Sequence, residues 1–156
     1  MTALPQLQRR RIEAEILAEA YAELCMDMPA HKALGIIERT CARAARGAGQ
    51  SFAASAPEGP SLRHFSGVVD IWRTGGALDI VHERLDGAAF SLTVTRCGYA
   101  ALYLDDMDLA PELAFALSCI RDAAFAEGYS PKLRLVRSPT IIQGAPACEF
   151  RYEWLS

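Results

Sequence analysis

The chain reads as an α+β domain: helices through residue 75, then, over residues 76–156, an antiparallel sheet of about four strands with a long helix packed on it. Three observations predict this. Apolar residues recur at helical spacing through the first part. In "ALDIVHERLDGAAFSLTVTRC" the period drops to two on either side of an Asp-Gly turn, and "PELAFALSCIRDAAFAEG" then returns to helix ahead of two more alternating runs. At 156 residues the chain is long enough for one domain with a substantial core and short for two.

The elements follow in order. From Pro5 to Met28, Leu7, Ile12, Ile16, Ala20 and Leu24 fall near helical spacing, and Pro29 breaks the run. "AHKALGIIERTCARAARGAG" is a second helix, expected to stop at Gly47 or Gly49, and "QSFAASAPEGPS" is a loop by composition. Ser61 is an N-cap candidate for a third helix carrying Leu62, Phe65, Val68, Val69 and Trp72 on one stripe, ended by Gly75-Gly76. The hairpin turns at Asp86-Gly87, with Leu78, Ile80 and His82 alternating before it and Phe90, Leu92 and Val94 after it. "GYAALYLDDM" is a short helix or turn. Pro111 opens a single long helix ending at Gly128. "KLRLVRS" is a strand, "PTIIQGAPA" a loop with a short extended piece, and "CEFRYEW" the last strand.

Composition narrows the function classes. Half the residues are hydrophobic and the net charge is −3, with no basic stripe, so nucleic acid is not an expected partner. "MTALPQLQRRRIEAE" turns charged too soon for a leader, and no apolar run approaches the roughly 20 residues of a membrane span, so a cytoplasmic protein with no membrane partner is expected. The five cysteines, at 25, 41, 97, 119 and 148, form no CxxC pair, and their odd number argues against a disulfide framework. No dinucleotide, Walker, GxSxG or HExxH pattern is present.

The residues that could carry chemistry lie in the second half. On the long helix Phe115, Cys119, Asp122 and Ala126 share a stripe, with Arg121 between thiol and carboxylate. The same spacing fits a buried thiol beside a solvated aspartate. Arg137 shares a strand face with Leu133 and Leu135, so it either snorkels at the strand end or waits for an anion. His82 is in register with the inward side of the hairpin, where a histidine is either a core residue or a site residue. Cys97, Cys119 and Cys148 lie at element ends or on inward faces. They could line a pocket or, with soft ligands scattered in sequence, hold a metal.

The stretch "CGYAALYLDDMDLAPELAFALSCIRDAAFAEGYSPKLRLVRSPTIIQGAPACEFRYEW" resembles the L-2-amino-thiazoline-4-carboxylic acid hydrolase family over about residues 97–153. The matching positions are Cys97, Tyr99, Pro111, Glu112, Cys119, Arg121, Asp122, Gly128, Tyr129, Arg137, Thr140, Gly144, Cys148, Phe150, Arg151 and Tyr152. Three positions depart: Ala110 stands for a glycine, "RSPT" for Arg-Thr-x-Thr, and Glu149 for an aspartate. The N-terminal helices match in general character only.

The resemblance implies a hydrolase acting on C–N bonds of cyclic amidines, opening a C–N or C–S ring bond of 2-amino-thiazoline-4-carboxylate or a related heterocycle to an N-carbamoyl product. It implies Cys119 as nucleophile, its pKa lowered by Arg121 or Arg137, and Asp122 as proton shuttle. Arg137 would hold the substrate carboxylate, with Arg121, Cys97, Tyr99, Tyr129, Cys148 and His82 as further substrate-binding residues. The expected partner is a small molecule with a carboxylate, and no cofactor is predicted. A homo-oligomer is left open, as is a non-catalytic ligand- or metal-binding module on the same scaffold.

Overall fold

Two prolines set up the first helical pair. Pro5 and Pro29 each stand at an N-cap, ahead of α1 (Gln6–Asp27) and α2 (Ala30–Ala54). The structure, a computed structural model, describes residues 3–156; the first two residues of the stretch read above for a leader lie outside them. α2 does not stop at Gly47 or Gly49. Both lie inside it, and Gly49 is buried against the backbone of Phe125 and Tyr129.

Ser61 caps as expected, its side chain accepting from the His64 N–H at 3.2 Å. The helix it opens is two short pieces, α3 (Leu62–Ser66) and α4 (Val68–Trp72), joined at Gly67. Leu62, Phe65, Val68 and Val69 are all buried, so the apolar stripe survives the joint.

β1 (Leu78–Leu85) and β2 (Ala89–Cys97) form the hairpin, with the Asp86 carboxylate accepting from the N–H groups of Ala88 and Ala89 at 2.9 Å each. α5 (Gly98–Ala100) runs into a π-helical turn (Ala101–Asp106).

The expected single long helix is two. α6 (Pro111–Leu117) ends at Ser118, whose φ of −117° and ψ of −72° leave the helical path, and α7 (Ile120–Tyr129) restarts after Cys119. At the start of α7 the Cys119 carbonyl accepts a long bond from the Asp122 N–H at 3.4 Å and has room for a second donor from outside the helix. β3 (Leu133–Arg137) and β4 (Cys148–Trp154) complete the sheet, and the segment expected to be partly extended between them is a 3-10 turn (Ile141–Gln143).

The fold is therefore α+β, with a four-stranded antiparallel sheet in the order β1-β2-β4-β3. Inward residues of β2 and β4, including Phe90, Leu92, Val94, Cys148 and Tyr152, pack on α3, α4 and α7 in one apolar cluster. A second cluster joins α1, α2, α5, the π turn and α6 around Tyr103, Leu113 and Leu117. Among the described residues no helix is long and apolar enough to cross a membrane.

α2 and α7 cross at glycine on glycine. A Cβ on Gly128 would fall on the Arg46 carbonyl, and one on Gly49 on the Phe125 carbonyl. The sequence reading took Gly128 for a helix end. It lies within α7, and its missing side chain lets two backbones touch.

Candidate active site

A cavity of about 100 Å³ lies where the two clusters meet, bounded by the sheet, α7 and the start of α1. Apolar side chains form most of its wall, among them Val69, Trp72, Ile80, Leu92 and Phe125. Its polar groups come from the α6–α7 break, from the strand ends around it and from Gln6 and Arg10 of α1.

At that break the chain turns Cys119 and Asp122 toward the cavity, and both line it. The Cys119 thiol donates to the Thr140 hydroxyl at 3.6 Å. Asp122 is bound by Arg137, whose Nη1 donates to the carboxylate at 2.5 Å and to the Cys119 carbonyl at 2.8 Å. The Arg137 guanidinium also sits between the rings of Phe115 and Phe150, at 5.7 and 5.8 Å from their centroids. Arg137 thus finds its anion inside the protein. It stands behind Asp122, not in the cavity wall.

Burial governs the titration of this cluster. Desolvation pushes the Asp122 carboxyl from its ordinary 3.8 up to about 6, against the pull of Arg137. The quarter of its side chain that stays accessible belongs to a residue of the cavity wall, so it is ringed by protein yet open to a bound molecule. The Cys119 thiol is pushed up to about 12, chiefly by burial and then by the Asp122 charge. The expectation of a thiol pKa lowered by Arg121 or Arg137 is therefore reversed. Arg137 is spent on Asp122, and Arg121 is directed elsewhere.

Arg121 lines the cavity but reaches toward α1 and α2. Its Nε donates to the Leu117 carbonyl at 2.7 Å, and its Nη2 lies 3.3 Å from Glu13 and 3.7 Å from the Cys41 sulfur. Cys97, Tyr99 and Cys148 also line the cavity. The Cys97 sulfur accepts from the Ala100 N–H at 3.4 Å and the Cys148 sulfur from the Ile141 N–H at 3.1 Å, while the Tyr99 hydroxyl donates to the Trp72 carbonyl at 2.8 Å. Burial pushes Cys97 up to about 11 and raises Cys148. Among the described residues no three His, Cys, Asp or Glu side chains are placed together to hold a metal ion.

Two expected site residues lie apart from the cavity. The Tyr129 hydroxyl is 3.0 Å from both the Ser61 backbone and His64 Nδ1, about two turns along α7 from Asp122 and outside the cavity lining. His82 sits at an irregularity in the β1–β2 pairing with φ of 53° and is exposed, because the bulge interrupts the alternation that would have turned it inward.

Sequence reasoning missed Gln6 and Arg10 of α1, which reach the cavity, as well as Tyr152. Tyr152 is fully buried and its hydroxyl has no hydrogen-bond partner. Its place on the inward face of the last strand was the available signal. For Arg10 there was none, since "QRRR" reads as a solvated helix start.

The family described as L-2-amino-thiazoline-4-carboxylic acid hydrolase matches residues 9–152. The chain belongs to that family. The match extends past the C-terminal half, where the motifs lie, and takes in most of α1. No curated protein matches the chain. Among solved structures it is similar to the phenol-responsive sensory domain of the transcription activator PoxR, solved with phenol. That likeness has a TM-score of 0.54 at 12% identity and covers 93% of this chain and 74% of that one, so it speaks to the fold alone.

Proposed function

We propose that the chain is a hydrolase that opens a small cyclic amidine, 2-amino-thiazoline-4-carboxylate or a close relative, to an N-carbamoyl product. The observation that carries this is a carboxyl with a pKa of about 6, Asp122, at the wall of a largely apolar cavity that Cys119 also lines. A group of that pKa is mostly ionised at neutral pH and can both take and return a proton.

Both nitrogens remain in an N-carbamoyl product, so the ring bond that opens is carbon–sulfur. The Cys119 sulfur adds to the amidine carbon as its proton passes to Asp122. The ring carbon–sulfur bond then breaks, and Asp122 hands the proton to the departing sulfur, leaving an isothiourea on Cys119. Water attacks that carbon; one of its protons passes through Asp122 to the Cys119 sulfur and the other to the isothiourea nitrogen, and the carbamoyl product leaves. One water is consumed and nothing is oxidised or reduced. The resting thiol is neutral because it is buried. A protonated amidine brings its own positive charge into the cavity, which favours both the thiolate and the carboxylate when they are needed. Arg137 holds Asp122 in place through this cycle.

The test follows 2-amino-thiazoline-4-carboxylate by mass spectrometry with wild type, Cys119→Ala and Asp122→Asn. N-carbamoyl-cysteine from wild type alone is expected. Wild-type turnover in Cys119→Ala would leave water, activated by Asp122, as the nucleophile. No consumption by any of the three would overturn the substrate assignment.

A second reading is favoured by the raised thiols, none of which is poised to react unaided, together with the likeness to a sensory domain. The same cavity would then bind a small ligand without changing it. Saturable thermal stabilisation by the heterocycle with no product formed would establish that role.

A further inference from the structure

Arg137, the residue expected to hold a substrate carboxylate, is bound through Nη1 to Asp122 and the Cys119 carbonyl, lies near two aromatic rings and does not line the cavity. Where α1 meets α7, the cavity wall is built differently. Arg10 and Arg121 both line it, with side chains only 16% and 11% exposed. They share one carboxylate oxygen, Oε2 of Glu13, at 2.5 and 3.3 Å. Among the described residues Glu13 is the hydrogen-bond partner of Arg10.

The charges around the cavity do not cancel. Asp122 is matched by Arg137, whereas Glu13 faces two guanidiniums, so one positive charge is left over. A largely buried cation without a full counter-charge is costly, and an anion entering the cavity would remove that cost. Guanidinium is also the side chain best shaped to take a carboxylate through paired N–H donors. Gln6, one turn before Arg10 on α1 and also in the cavity wall, adds a neutral donor at the same end.

We propose that Arg10 and Arg121 form the carboxylate clamp of this site, so that the ligand is a small ring compound with one acidic group directed at α1 and its reacting carbon toward Cys119 and Asp122. This rests on the reading of the cavity as the substrate site. It adds that α1 supplies a specificity-determining residue, Arg10, and that Glu13 holds the two guanidiniums together while the cavity is empty.

The test titrates the protein with 2-amino-thiazoline-4-carboxylate, thiophene-2-carboxylate and proline, each beside its primary amide, following Trp72 in the cavity wall by fluorescence with calorimetry as a check. Wild type is expected to favour at least one acid over its amide about tenfold or more, the scale of a charge-assisted hydrogen bond. Arg10→Met should reduce that preference to near one, Arg10→Lys should keep part of it, and Glu13→Gln should keep or strengthen it. A structural ion pair would instead make Arg10→Met and Glu13→Gln equally harmful. That result overturns the clamp, as does the absence of any acid preference in wild type. Arg10-dependent acid binding without turnover would leave the clamp standing and remove the hydrolase reading. Turnover that ignores Arg10 and accepts the amide would do the reverse.

Discussion

In the proposed proton-shuttle role, Asp122 ties stability and activity to the same proton, and the two respond in opposite directions. Its carboxyl titrates near 3.8 when the chain is unfolded and at about 6 in the fold. Below pH 3.8 it is protonated in both states and contributes nothing. Between 3.8 and about 6 only the folded form keeps the proton, so stability falls as pH rises, by about 1.4 kcal/mol per pH unit. Above that range the cost is constant at about 3 kcal/mol, the price of keeping a carboxylate in a desolvated wall. Asp122→Asn has no such titration. Urea denaturation of both proteins from pH 4 to 8 should therefore give a stability difference, wild type minus variant, that declines by about 2.5 kcal/mol and levels off near pH 7. Other carboxylates, such as Asp79 and Asp86, are held low by their partners and cancel in the difference. Wild-type kcat/KM should rise over the same interval, since the base must be ionised. A flat difference, or one that grows with pH, would mean that Arg137 outweighs burial and that Asp122 is an ordinary ion-pair partner. The proton-shuttle role would fall with it.

Tyr152→Phe removes a buried hydroxyl that has no partner, so by chemical denaturation it should leave stability unchanged or raise it by about 1 kcal/mol. The same variant should weaken ligand binding if a bound molecule is what satisfies that hydroxyl. Gly128→Ala places a methyl on the Arg46 carbonyl and should cost about 3 kcal/mol or more, read as a lower urea midpoint, with ligand binding lost in the fraction that still folds. Iodoacetamide should leave Cys119 unmodified in the folded, ligand-free protein at pH 7, because burial keeps the thiol neutral; rapid alkylation there would contradict that environment.

Most of the sheet was legible because its cues are local. An Asp-Gly turn and strict alternation fixed β1, β2 and β4 to within a residue or so. His82 was misjudged for the same reason: alternation assumes an unbroken ladder, and a bulge cancels it without any mark in composition. The break at Ser118 was hidden because "ALSCIRDAAF" has helical residues throughout. What marks the break is tertiary, with Arg137 on another element donating to the Cys119 carbonyl beside it. Cys119 and Asp122 were found together from spacing. The electrostatics were not, since the pull of Arg137 on a neighbour can be guessed from charge whereas desolvation depends on what covers the group. Arg10 lay beyond reach because nothing local separates an arginine that turns inward across a domain from one that faces water.

The glycine crossing of α2 and α7 has a consequence for how the cavity can be altered. Where helices meet through side chains, their separation follows the size of whatever occupies the contact, and every repacking moves the axes. Here main chain rests on main chain, a mechanical stop that no side-chain exchange elsewhere can shorten. Asp122 sits between one and two turns from that stop, on the same short helix. The strand wall, supplied by Ile80, Leu92 and Val94, can be re-lined with larger or smaller residues while the carboxylate stays where it is. The shape of the cavity and the titration of its carboxylate are thus set by separate parts of the molecule, and a variant library directed at the strands should change which small ligand fits before it changes the titration of Asp122.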